Sequence, residues 1–320
     1  MATSVEPTQR KQRSRIAQFF AKPRNWMPYI FVAPFFITFA IFQLYPLLRS
    51  VVMGFQESVG YTGKWEWVGI ANYVEIFADD EHFGVAVKNF VLFAAGSLIT
   101  EIPIAIALAL MLASRNLRGR GLFRTVFFIP SVLPGVLMGL VGIWFFSTAR
   151  GLLNALVVAF GGERIKWLFL PEYILPNMLT IAFWQWMGNH AVFVLAGIGG
   201  IDTGVIEAAT IDGATTWQRV RYIILPLLRP VLAFVAITVV TGSLRTYDIP
   251  VVILLGTGGG ASDMGGPGGE GWFFLPYITE VAFARFRMGY ATAIGWVVFA
   301  IAIVVTFFQL RLFQFGEAAE

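Results

Sequence analysis

The sequence predicts an all-α polytopic membrane protein with six transmembrane helices, on three observations. Of 320 residues, 57% are hydrophobic and 16% aromatic, while only 13% are charged, against about 25% charged in a soluble domain. The mean hydropathy is +0.72, more apolar surface than a soluble globule of this size has interior to hide. The apolar residues also fall in six runs, roughly 29–53, 89–113, 122–146, 174–197, 229–254 and 289–313. Each is near the ~20 residues that cover about 30 Å of hydrocarbon at ~1.5 Å per residue. The same composition excludes other classes. Without cysteine there is no disulfide framework, thiolate zinc site or thiol nucleophile, and His82 and His190 are too few for a histidine metal centre. A pI of 9.4 does not imply nucleic acid, because membrane proteins gather Lys and Arg on one face.

The elements follow in order. Arg10, Lys11, Arg13, Arg15, Lys22 and Arg24 precede the first run and resemble a signal peptide. The run is too long for one, and no small-residue cleavage site follows Tyr45-Pro46, so it reads as an uncleaved span behind a basic tail, residues 1–28, suited to anionic lipid. The segment 54–88 is acidic, with Glu57, Glu66, Glu75, Asp79, Asp80 and Glu81, and reads as an outer loop. Span two carries Glu101, which faces either a subunit interface or a channel. A basic turn with Arg115, Arg118, Arg120 and Arg124 links spans two and three, and Pro130 and Pro134 are expected to kink span three. Arg219, Arg221, Arg229 and Arg311 lie on the same side as that turn, so both termini, including the tail 314–320, are expected to be cytoplasmic.

Span four contains Trp184-Gln-Trp-Met-Gly-Asn-His190. Gln185 and Asn189 share one helical face, with Trp186 and His190 on the adjacent face. Amides for hydroxyls beside an aromatic plate would make a carbohydrate surface; interhelical hydrogen bonding and an interfacial aromatic belt are the alternative. In span five, Arg245 and Asp248 are three apart; a structural salt bridge is expected ahead of solute contact, and with Tyr247 between them they join Gln185, Trp186, Asn189 and His190 as candidates for the solute path. Residues 256–271, GTGGGASDMGGPGGEG, contain no Lys, and Gly63-Lys64 is followed by Trp65. No Walker A loop is present, so this chain does not bind ATP in that way.

Residues 198–228 are too polar to span and long for a linker. Val205–Ile211 has helix formers, Gly213 permits a sharp turn, and Thr215 or Thr216 can cap a second helix running to about Ile224, with Pro226 ending it. The pair would form a knob suited to a protein partner. It also carries a signature: Glu207-Ala208-Ala209, three residues that include Asp212, then Gly213, nine residues, Ile223, one residue, and Leu225-Pro226. This resembles the E-A-A motif of permease subunits of ABC importers. Val68–Tyr73, Arg118–Arg124, Leu244–Asp248 and Pro226–Pro230 make the chain similar to the maltose-type carbohydrate permeases over residues 28–313. In one departure, Gly258-Gly-Gly260 is separated from Pro267.

The resemblance implies a type I importer-like permease domain, residues 29–313, whose coupling-helix loop docks on a separate ATPase. It also implies a multi-pass chain of a bacterial or archaeal inner membrane. The implied partners are a second permease, an ATPase dimer carrying Mg-ATP, an extracytoplasmic solute-binding protein and a sugar. No cofactor or catalytic residue is expected in this chain. An ion-coupled secondary transporter using Glu101, Arg245 and Asp248 is the alternative; it leaves the knob unexplained, and no internal repeat supports it. A membrane enzyme built on Asp79, Asp80 and His82 is a third reading, in which those residues are more simply solvated charge.

Overall fold

The computed structural model describes residues 23–59, 64–114, 117–257 and 265–314. The basic tail before residue 23, Arg115, Gly258–Gly260 and the tail after residue 314 lie outside the described residues. The chain divides after Val52 into two units.

The first unit is the first span. Helix α1 (Pro23–Phe39) passes through a π-turn at Ala40–Leu44 into α2 (Tyr45–Met53), where Tyr45 N–H donates to the Ala40 carbonyl. The wider turn precedes Pro46, whose ring would crowd an ordinary α-helical turn.

The second unit begins with a hairpin, β1 (Gln56–Val59) antiparallel to β2 (Lys64–Trp67), in the register Glu57 opposite Glu66. Helix α3 (Ala71–Ala78) follows. The acidic segment is therefore a folded cap rather than a simple loop. Asn72 donates to the Gly54 and Gln56 carbonyls at 3.1 and 3.0 Å, and so ties α3 to the hairpin.

The membrane region continues with α4 (Glu81–Ala113), α5 (Arg120–Val132), α6 (Gly135–Phe146) and, after the short α7 (Leu152–Ala159), α8 (Pro171–Gly199). Span three is broken. Its two halves, α5 and α6, meet at 99° because Leu133 and Pro134 are extended, as the prolines predict. After α9 (Thr203–Ile211), helical turns continue through α10 (Thr216–Arg219), a π-turn at Val220–Ile224 and α11 (Leu225–Leu227). This run then bends by 69° into α12 (Arg229–Leu244). Pro226 does not end the second knob helix as expected. The π-turn, in which Leu225 N–H reaches back to the Val220 carbonyl, accommodates the proline, and the bend falls at Leu228.

Span five departs further from the sequence reading. It stops at Leu244, and α13 (Asp248–Leu255) begins after a non-helical Arg245–Tyr247. The apolar run 229–254 is thus two helices, and α13 packs against α6 and α8. Helices α14 (Phe274–Phe283) and α15 (Met288–Gln314) complete the chain. Three cores result. Phe83, Phe90, Phe274, Tyr277 and Tyr290 pack beside the folded cap, Met138, Met178, Ile181 and Ile253 where the broken spans meet α8, and Ala105, Val194, Leu228 and Val235 towards the knob.

Candidate functional site

The knob is built by local capping. Asp202 accepts from Gly204 N–H at 2.8 Å to start α9, and Gly213 takes φ +82°, a left-handed turn that suits glycine. Thr215 and Gln218 close a capping box on α10, with Thr215 N–H donating to Gln218 Oε1 at 2.7 Å. Arg219 donates to Thr216 Oγ1 at 3.1 Å and also to Thr210 Oγ1, crossing from one knob helix to the other. Glu207, Ala208, Asp212 and Gly213 are exposed, and Ala209 is half-buried. Ile223, Leu225 and Pro226 are half-buried at the root, beside Ile224 and Leu228, which are buried in the knob-side core. Sequence reasoning missed the apolar tip: Ile211 is 87% exposed, with Trp217 and Tyr222 close to 70%. Large apolar groups in so polar a segment were its signal.

The second feature is a cavity of about 630 Å³, within the range of small-molecule sites. Helix α4 contributes Phe93, Ser97 and Glu101, and α8 contributes Gln185, Trp186, Asn189, His190 and Phe193. Helix α12 and the break after it contribute Thr241, Arg245, Thr246, Tyr247 and Asp248. All seven expected path residues therefore line one space. Gln185 is buried, and its amide donates to the Leu133 carbonyl at 3.0 Å, satisfying an acceptor freed by the break in span three. Trp186 and His190 face the cavity with rings 6.4 Å apart and 25° from parallel.

Glu101, expected at a subunit interface or a channel, lines this cavity. Its Oε2 lies 2.9 Å from His190 Nδ1, and both residues are buried. His190 Nδ1 has no hydrogen-bond partner, so the two groups are close without a hydrogen bond between them. The expected salt bridge between Arg245 and Asp248 does not form. The i,i+3 geometry needs a helix, and the backbone at Tyr247 (φ −135°, ψ −60°) is not helical. Both residues are exposed to the cavity. Asp248 is seated against the first turn of α6, where a methyl group on Gly135 would come within 2.5 Å of Asp248 Oδ2.

The folded cap replaces the solvated-charge reading for Asp80, whereas Asp79 and His82 are exposed. Asp80 caps α4 by accepting from Phe83 N–H at 2.9 Å, and its other oxygen accepts from the hydroxyls of Tyr277 and Tyr290, each at 2.6 Å. Burial and this carboxylate hold the Tyr277 hydroxyl well above the usual tyrosine range. His82 packs against Trp272. Arg287 donates to Glu75 at 2.8 Å and to Glu57 at 3.4 Å, which lowers the Glu75 carboxyl below its ordinary range. Among the described residues no group of three His, Asp or Glu is placed to hold a metal.

The chain is similar to known transport permeases over most of its length. The chain is 29% identical over 307 residues to the arabinooligosaccharides transport system permease protein AraP of Bacillus subtilis, covering 96% of this chain and 94% of that one. It is 33% identical over 285 residues to the lactose transport system permease protein LacF of Rhizobium radiobacter, covering 88% and 92%. Its fold matches a chain of a bacterial alginate ABC transporter, solved with an alginate pentasaccharide-bound periplasmic protein, at a TM-score of 0.76 and 23% identity over 91% of this chain and 95% of that one. A family model, the binding-protein-dependent transport system inner membrane component, matches residues 102–315, which include the knob and most of the cavity wall. The chain is therefore a multi-pass inner-membrane permease and belongs to the binding-protein-dependent transport system inner membrane component family.

Proposed function

We propose that this chain is one of two permease subunits of an ABC importer that carries a sugar or oligosaccharide inward. ATP is hydrolysed on a separate ATPase dimer that binds Mg-ATP, and an extracytoplasmic solute-binding protein delivers the solute. Both termini and the knob face the cytoplasm. The single observation that carries the reading is the knob. It is a rigid helix pair, fixed at Gly213 and by Arg219, with Glu207 and Ala208 exposed and an apolar tip at Ile211 and Trp217. Small side chains permit close docking, Glu207 offers a carboxylate to a basic partner, and a unit so braced moves as one body. Through α8 on one side and α12 on the other, its displacement reaches both walls of the cavity.

The sugar class is supported by the relatives named for arabinooligosaccharides and lactose and by the cavity chemistry. Trp186 offers a flat apolar face, and Asn189, Thr241 and Tyr247 offer hydrogen-bonding groups for hydroxyls. The test is Ala208→Trp in the co-expressed complex. Position 208 is exposed, so the permease is expected at wild-type levels. Solute-stimulated ATP hydrolysis and uptake are expected to fall at least tenfold. Wild-type coupled hydrolysis in that variant would remove the knob from the mechanism.

A further inference from the structure

Four ionisable side chains line the cavity: Glu101, His190, Arg245 and Asp248. Three have a local partner or a complementary local setting. Glu101 and His190 face each other at 2.9 Å. Asp248 sits in the first turn of α13 and against Gly135 in the first turn of α6, so two helix N-termini complement its negative charge. Arg245 differs. It follows the last turn of α12, whose carbonyl end suits a cation but supplies no counter-ion. Its side chain is exposed to the cavity and forms no ion pair among the described residues. The non-helical backbone at Tyr247 keeps Asp248 from pairing with it.

Resting on the sugar-import reading, we infer that Arg245 anchors an oxyanion on the solute, so that the cavity takes an acidic saccharide bearing a carboxylate, sulfonate or phosphate. The guanidinium presents a planar fork of donors matched to two oxygens of such a group. It does so in a cavity lined by membrane-spanning helices, where a charged group is costly unless it serves the cavity or finds a partner. Trp186 and Asn189 then contact the ring and hydroxyls, and Arg245 selects for charge.

The experiment measures binding to the complete transporter in lipid nanodiscs without the solute-binding protein, whose own selectivity would mask the cavity's. Acidic probes are digalacturonate, 6-deoxy-6-sulfoglucose and glucose 6-phosphate; neutral counterparts are galactobiose and glucose; inorganic phosphate and sulfate are the free-anion controls. At least one acidic probe is expected to bind about tenfold or more tightly than its counterpart, the range of a charge-assisted contact. Arg245→Gln is expected to erase that difference, so that acidic and neutral probes bind alike, and Arg245→Lys to restore part of it.

Equal binding of acidic and neutral probes, or a preference that survives Arg245→Gln, overturns the inference while leaving sugar import intact. Free anions binding as tightly as the acidic sugars overturn it as well. Loss of the second permease from the Arg245→Gln complex would assign the cation to a subunit contact instead. Binding of no sugar of either kind would remove the import reading itself.

Discussion

Replacing Asp80 with alanine removes three interactions at once. The α4 cap accounts for about 1 kcal/mol, and each tyrosine hydrogen bond to the carboxylate for about 1.5 kcal/mol at the low end of the charge-assisted range. The two hydroxyls share one oxygen and lose a common partner, so the total is less than additive, near 3 kcal/mol. The loss is local, because Asp80 is where α4, α14 and α15 are joined. Backbone amides of α14 are therefore expected to exchange roughly 100-fold faster by hydrogen–deuterium exchange mass spectrometry, with α12 unaffected. Asp80→Asn keeps an acceptor for the cap and is expected to give an intermediate increase. Asp79→Ala is the control, since that exposed neighbour makes no such contacts. Equal exchange in the Asp79 and Asp80 variants would refute the joint.

Two further outcomes are expected. The Arg287 hydrogen bond depresses the folded-state pKa of Glu75 below the ordinary 4.5, so its stabilising contribution is fully present above that value and disappears as pH falls through the depressed one. Protection of α3 and the hairpin, taken relative to the intrinsic exchange rate at each pH, is accordingly expected to fall on acidification below about pH 4.5, with Arg287→Gln already loosened at neutral pH and flatter across the range. Gly188→Ala would place a methyl group 1.8 Å from the Phe127 carbonyl oxygen. A backbone oxygen cannot rotate away, so α5 and α8 must separate, a cost beyond the usual ~1–3 kcal/mol of overpacking. Recovery of monodisperse complex should collapse, whereas Gly295→Ala, which meets nothing within 4 Å, should behave as wild type.

Much of this was legible because the bilayer imposes simple rules. Apolar length located the six runs, Pro130 and Pro134 marked the break in span three, and Glu207 to Pro226 marked the knob. Hydropathy hid the break in span five, because Arg245-Thr-Tyr247 is a short interruption in an apolar run and helix ends there depend on packing against α6. The Arg245–Asp248 pairing failed for the same reason, since i,i+3 spacing implies contact only where the backbone is helical. The Glu101–His190 pair joins residues far apart in sequence, and no single-helix pattern can predict it. Asp80 looked like one acid among many because its two tyrosines arrive about 200 positions later. The hairpin is four residues a side, too short for its alternation to stand out.

The paired half-helices have a consequence for biogenesis. Helix α6 has 12 residues and α13 has 8, about 18 and 12 Å long at ~1.5 Å per residue, so neither alone reaches across the ~30 Å of hydrocarbon. They lie against each other so closely that a methyl group on Gly139 would come within 2.6 Å of Val252. Synthesis runs from the N-terminus, so α6 leaves the ribosome more than 100 residues before the helix that covers it. Spans two and four, which are continuous helices, can partition into lipid as each is made; the midsection of span three must wait for α13. Assembly of this permease therefore has a built-in late step, and a bulky side chain at Gly139 would show itself as a short-lived, protease-sensitive chain before any effect on transport could be measured.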